Sequence, residues 1–69
     1  MWKITEDYED YEVLVDEIGI LDAGRLAIEH SIEIGEDKGL KQPKTVLEAI
    51  DVLNKCGYNV EMVGHYYEK

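Results

Sequence analysis

The chain has 69 residues, a formal net charge of −9 and a single cysteine. That length makes one domain, residues 1–69, with a core too small to leave more than a few kcal/mol of net stability, roughly 3–5. It holds no apolar run near the ~20 residues of a membrane span, and it is too poor in Lys and Arg for direct binding to nucleic acid or to an anionic membrane.

Residues 1–5 open the chain as a short strand in which Trp2 and Ile4 share one face. They carry no apolar signal-peptide core, and a lone cysteine suits a reducing setting, so the expected location is cytoplasmic.

Residues 6–18 are expected to form a first helix, with Thr5 as its cap. Tyr8, Tyr11, Leu14, Val15 and Ile18 fall on one arc of a helical wheel. Glu6, Glu9, Asp10, Glu12, Asp16 and Glu17 fall opposite, as a carboxylate face. Gly19 is the expected stop, with Ile20 packing back on the last turn.

Residues 22–38 admit two readings. A helix capped by Asp22 and ending at Gly39 would turn Ala23, Leu26, Ala27, His30 and Ile34 to the core. It would have to absorb Gly24 and Gly35, each costing about 1 kcal/mol relative to Ala. A strand would place Leu26, Ile28, His30, Ile32 and Ile34 on one face. The helix is preferred, because Gly19-Ile20, Gly39-Leu40 and Gly57-Tyr58 repeat one pattern of glycine stop and apolar residue. It would leave Ile28 and Ile32 as an exposed apolar pair, a candidate contact surface for a second copy.

Leu40–Lys44 is a short connector. Thr45 and Glu48 have capping-box spacing and open the best-defined helix. Val46, Ala49, Ile50, Val52, Leu53 and Cys56 share its apolar arc, and Asp51 precedes Lys55 by four residues, a favoured surface pair. Gly57 supplies the stop. A strand over about 58–67 follows, with Tyr58, Val60, Met62 and Tyr66 on one face and Gly64 as a candidate bulge. Its expected partner is the N-terminal strand. The expected fold is therefore α+β: three short helices packed on a small sheet made by the two chain ends.

Catalysis has little support in this sequence. No nucleophile has a readable base and orienting acid, and Ser31 next to His30 diverges from it by about 100° on a helix. His30, Cys56 and His65 lack zinc-ligand spacing, and Glu6–Glu17 lacks the glycine-centred calcium loop. No metal or other cofactor is expected.

The functional signal is charge. Residues 1–37 hold twelve acids and two bases, whereas residues 38–69 hold four acids and five bases. No basic residue occurs from Thr5 to Gly24. A solvated face keeps a small protein soluble, but stability alone would favour interspersed lysines, because like charges repel. The expected function is a protein-binding module without catalysis. Its acidic face, Glu6, Glu9, Asp10, Glu12, Asp16 and Glu17, would dock on a basic, nucleic-acid-binding surface of another protein. Tyr8, Tyr11, Tyr66 and Tyr67 are candidate aromatic anchors.

In its Glu- and Tyr-rich brevity the chain resembles small phage and mobile-element proteins. In the strongest form of the docking reading the chain is an inhibitor of that type, its carboxylates spread along one helix face as a mimic of nucleic-acid phosphate charge. The alternative is a structural homo-oligomer, a dimer for example, that uses the Ile28/Ile32 surface and the terminal strand.

Overall fold

The structure, a computed structural model, describes residues 1–6 and 11–63. In chain order the elements are β1 (Trp2–Glu6), β2 (Tyr11–Val15), α1 (Glu17–Glu33), α2 (Val46–Lys55) and β3 (Tyr58–Met62). The class is α+β, as expected, with two helices and three strands among the described residues instead of three helices and two strands.

The sheet is antiparallel in the order β2-β1-β3. The pairing of the chain ends is present: Ile4 stands opposite Val60 and Trp2 opposite Met62. A bond from the Val63 N–H to the Met1 carbonyl, 3.0 Å, carries the ladder one step further. On its other side β1 pairs with β2, Ile4 opposite Val13 and Glu6 opposite Tyr11.

The second strand overturns the expected helix over 6–18. Tyr11, Leu14, Val15 and Ile18 satisfy helical spacing, but Tyr11, Val13 and Val15 also alternate, and β-branched side chains suit a pleated surface. Antiparallel pairing with β1 packs Val13 and Val15, partly buried, against the core around Ile4, whereas a helix would set Val13 among the carboxylates. Glu9 and Asp10, placed in that helix, and Gly64, placed in the terminal strand, lie outside the described residues.

Gly19 is likewise not a stop. It sits in the first turn of α1 and donates its N–H to Asp16 Oδ1 at 2.8 Å, so Asp16 is the helix cap. The helical choice for the next segment holds, with bounds shifted toward the N-terminus. Asp22 is inside α1 and not its cap. The helix ends at Glu33 with Ile34 as its C-cap, ahead of Gly35 at φ +84°, and Gly39 lies beyond it in the connector.

The earlier start rotates the buried arc. Ile20, Gly24, Ala27, Ile28 and Ser31 are buried, while Leu26, His30 and Ile34 are exposed. Ile28 is 7% exposed, so the expected Ile28/Ile32 surface pair does not exist; Ile32 alone remains at the surface.

The α2 region folds as its sequence reads. The Thr45 hydroxyl accepts the Glu48 N–H at 3.2 Å, and Glu48 Oε1 accepts the Lys44 N–H at 2.9 Å. Asp51 and Lys55 pair at 3.0 Å. Gly57 at φ +95° turns the chain into β3.

Both helices lie on one side of the sheet. Ile4, Ile20, Ala27, Ala49 and Leu53 make the buried centre, with Trp2, Val13, Val15, Tyr58 and Val60 packed around it. Burying Ile20 or Leu53 stabilises the fold by about 1.5–3 kcal/mol each. Along the helix pair, Gly24 faces Ala49 and Ser31 faces Cys56, so α1 and α2 run in the same direction. The opposite side of the sheet carries Lys3, Thr5, Glu12, Leu14, Asn59 and Glu61 and has no helix over it among the described residues.

Candidate functional site

Strand geometry separates the acids that a single helix would have gathered. Alternate residues of a strand project to opposite faces. Glu6 follows the parity of buried Ile4, on the helix side of the sheet, whereas Glu12 stands opposite Thr5 on the open side. Asp16 and Glu17 lie past the other end of β2, where Val15 meets Trp2. The continuous carboxylate ribbon is thus absent from the described acids.

Two of these carboxylates also have work within the fold. Glu12 shares Lys3 with Glu61, at 3.9 and 3.4 Å, on the open face. Asp16 caps α1 through Gly19. Glu6 and Glu17 make no ion pair among the described residues.

Tyr11 opens β2, and its side chain lies outside the described set, as do Tyr8, Tyr66 and Tyr67.

A second group of acids lies on α1. Asp22, Glu29 and Glu33 fall within about 40° of one another on a helical wheel. Leu26 and Ile18 flank them, exposed at 56% and 71%. Arg25 pairs with Asp22 at 3.1 Å, leaving Glu29 and Glu33 without an ion pair among the described residues. The result is a solvent face of mixed carboxylate and large apolar side chains. Its signal was present in the sequence as acids spaced seven and four apart. It was readable on the helix expected over 22–38; the start at Glu17 adds only Ile18 to that face.

Leu26 also lines an apolar cleft of about 240 Å³ between α1 and the sheet. Val13 of β2, Ile4, Ala23, Leu53 and Tyr58 complete most of the wall, with His30 at its polar edge. The α1 face and the edge strand β2 therefore border one depression.

A larger hollow of about 650 Å³ lies between the connector and α2, lined by Leu40, Lys41, Lys44, Leu47, Val52 and Lys55 among others. Lys55 is held by Asp51, so the free cations there are Lys41 and Lys44 among the described residues.

Among the described residues no group of three His, Cys, Asp or Glu could hold a metal ion. No described helix is long and apolar enough to cross a membrane. Cys56 is half-buried at the helix interface. Burial pushes its thiol above the ordinary 9.0, against smaller opposite pulls from Lys38 and the Ser31 hydroxyl. A thiol held protonated is a poor nucleophile.

Comparison with family models, curated proteins and solved structures finds no match to this chain.

Proposed function

We propose that the chain is a cytoplasmic protein-binding module without catalysis, which docks on the basic, nucleic-acid-binding surface of another protein. Its docking surface runs over the outer face of α1 and the neighbouring edge of the sheet. The observation that carries this reading is the outer face of α1, where Glu29 and Glu33 have no ion-pair partner among the described residues and Leu26, one turn before Glu29, is exposed. Carboxylates speed and orient the encounter with a basic surface, and apolar anchors hold it. In its strongest form the module competes with nucleic acid for that surface, as an inhibitor of the phage type.

The test is affinity for a lysine-rich peptide, read by fluorescence anisotropy across a salt series. Binding should weaken steeply between about 50 and 200 mM salt, as screening shortens the reach of exposed charges. Glu29→Lys with Glu33→Lys should weaken it further. Affinity that stays flat with salt, or is indifferent to both reversals, would end the charge-docking idea.

A homo-oligomer is a second reading, favoured by the open outer edge of β2 among the described residues. It keeps exposed Ile32 and loses buried Ile28 as a contact. Sedimentation decides it: a dimer that dissociates on Ile32→Glu supports it, and a monomer at high concentration removes it.

A further inference from the structure

The outer edge of β2 has no neighbouring strand among the described residues. Such an edge presents a row of backbone donors and acceptors that templates another strand. Natural edges are commonly blunted by lysine, proline or a bulge. Tyr11–Val15 has no lysine, proline or bulge: its sequence is Tyr-Glu-Val-Leu-Val, its register with β1 is unbroken, and its one charge, Glu12, repels an acidic strand while favouring a basic one.

We infer that this edge receives an extended segment of the basic partner, which adds to the sheet as a fourth strand. The inference rests on the docking function proposed above and names the form the partner takes. Charge complementarity selects the occupant. Glu12 projects from the open face of β2, Asp16 and Glu17 follow the strand, and no basic residue occurs between Thr5 and Gly24. A second copy would bring a charge of −9 against −9, which mutual repulsion opposes.

The pleat also sets the sequence pattern of the added strand. Its alternate side chains fall on opposite faces. Those on the helix side meet the depression walled by Val13 and Leu26, and suit apolar residues. Those on the open side lie beside Glu12 and exposed Leu14, and suit lysine or arginine, whose charge meets the carboxylate and whose aliphatic stem lies along the leucine. The partner segment therefore alternates apolar and basic residues. Main-chain bonds supply affinity and the alternating side chains supply specificity, as in other strand-addition complexes.

The experiment uses the full chain and a labelled peptide of alternating lysine and valine. Two further peptides have the same side chains, one methylated on its lysine backbone nitrogens and one on its valine nitrogens. In a strand these two sets of N–H groups point to opposite edges. Pairing with β2 should leave one methylated peptide near the parent affinity and weaken the other by roughly tenfold or more. Backbone amide shifts should concentrate at residues 12–15. If both methylated peptides bind like the parent, or the shifts centre on α1, edge addition is wrong while charge docking stands. If no peptide binds even at low salt, both fall. A dimer of the free protein with slowed amide exchange along β2 would overturn the assignment in favour of a second copy.

Discussion

Gly24 of α1 faces Ala49 of α2 so closely that a Cβ built on the glycine would stand 3.6 Å from the Ala49 Cβ. The same atom would stand only 2.9 Å from Cγ of Pro43, whose ring cannot swing away. Ser31 and Cys56 occupy the equivalent place seven residues along each helix. Small residues at both positions let the two parallel helices approach. Glycine inside a helix costs about 1 kcal/mol relative to Ala, and here that cost secures close packing. Gly24→Ala should therefore fail to stabilise the protein. Overpacking costs about 1–3 kcal/mol, against about 1 kcal/mol regained in helix propensity, a net loss near 1 kcal/mol. Urea denaturation reads it, and a higher midpoint would mean that Pro43 does not sit against this helix.

The C-terminal half was legible because its signals are local and agree with one another. Thr45, the apolar arc of α2, Gly57 and the alternation of β3 each point to one structure, and all are present, the strand over Tyr58–Met62 of the expected 58–67. Even the pairing of the chain ends followed from the faces of Trp2, Ile4 and Val60. Residues 11–18 were not legible, because Tyr11, Leu14, Val15 and Ile18 satisfy a helix while Tyr11, Val13 and Val15 satisfy a strand. The tie is broken by β1, several residues away in sequence. That error carried into the candidate site. Carboxylates that would line one helix face alternate across a strand instead, and Lys3 meets Glu12 over the sheet. It also hid the true start of α1, and with it the burial of Ile28.

Ile28 and Ile32 supply a direct check on that rotated arc. Ile28 is buried and Ile32 half in solvent, one turn further on. Ile28→Ala should cost about 2–4 kcal/mol through lost transfer energy and the cavity left behind. Ile32→Ala should stay within about 0.5 kcal/mol, as surface changes usually do. Equal losses at the two positions would put α1 in a different rotation.

The two helix caps make a parallel prediction. Asp16 accepts from Gly19 and Thr45 from Glu48. Asp16→Ala and Thr45→Ala should each cost about 1 kcal/mol, and Asp16→Asn much less, because the amide oxygen still accepts. Thermal unfolding of the three variants gives the comparison. If Asp16→Ala proves harmless, α1 does not begin where Glu17 places it.

Cys56 predicts a slope of stability with pH. Burial raises its thiol in the folded chain, so the native state holds the proton that the unfolded chain releases near 9.0. The stability contributed is present in full below 9.0 and is lost as pH climbs through the higher folded value. Cys56→Ala should flatten the fall in stability above pH 9.0. A thiol reagent should also react more slowly with the folded protein than with the chain in urea, at equal pH. Equal rates would show the thiol free of its helix neighbours.

Lys3 is the cation on the open face of the sheet, and it stands between two carboxylates. Glu61 lies directly across from it on β3, at 3.4 Å, and Glu12 lies diagonally across on β2, at 3.9 Å. The lysine side chain is about one-third exposed and both acids about two-thirds, so solvent screens the pairs and each contributes less than about 1 kcal/mol. Lys3→Gln removes both pairs and leaves two carboxylates flanking β1 with no cation between them. In a chain of net charge −9 that adds to a repulsion already acting on the compact state. The variant should be less stable by about 1 kcal/mol at low salt, and the difference should shrink as ionic strength rises toward 1 M, where the screening length falls to about 3 Å. The parent should itself gain stability with added salt. A Lys3→Gln loss that persists unchanged in high salt would mean that the lysine acts through packing of its aliphatic stem on the sheet rather than through its charge.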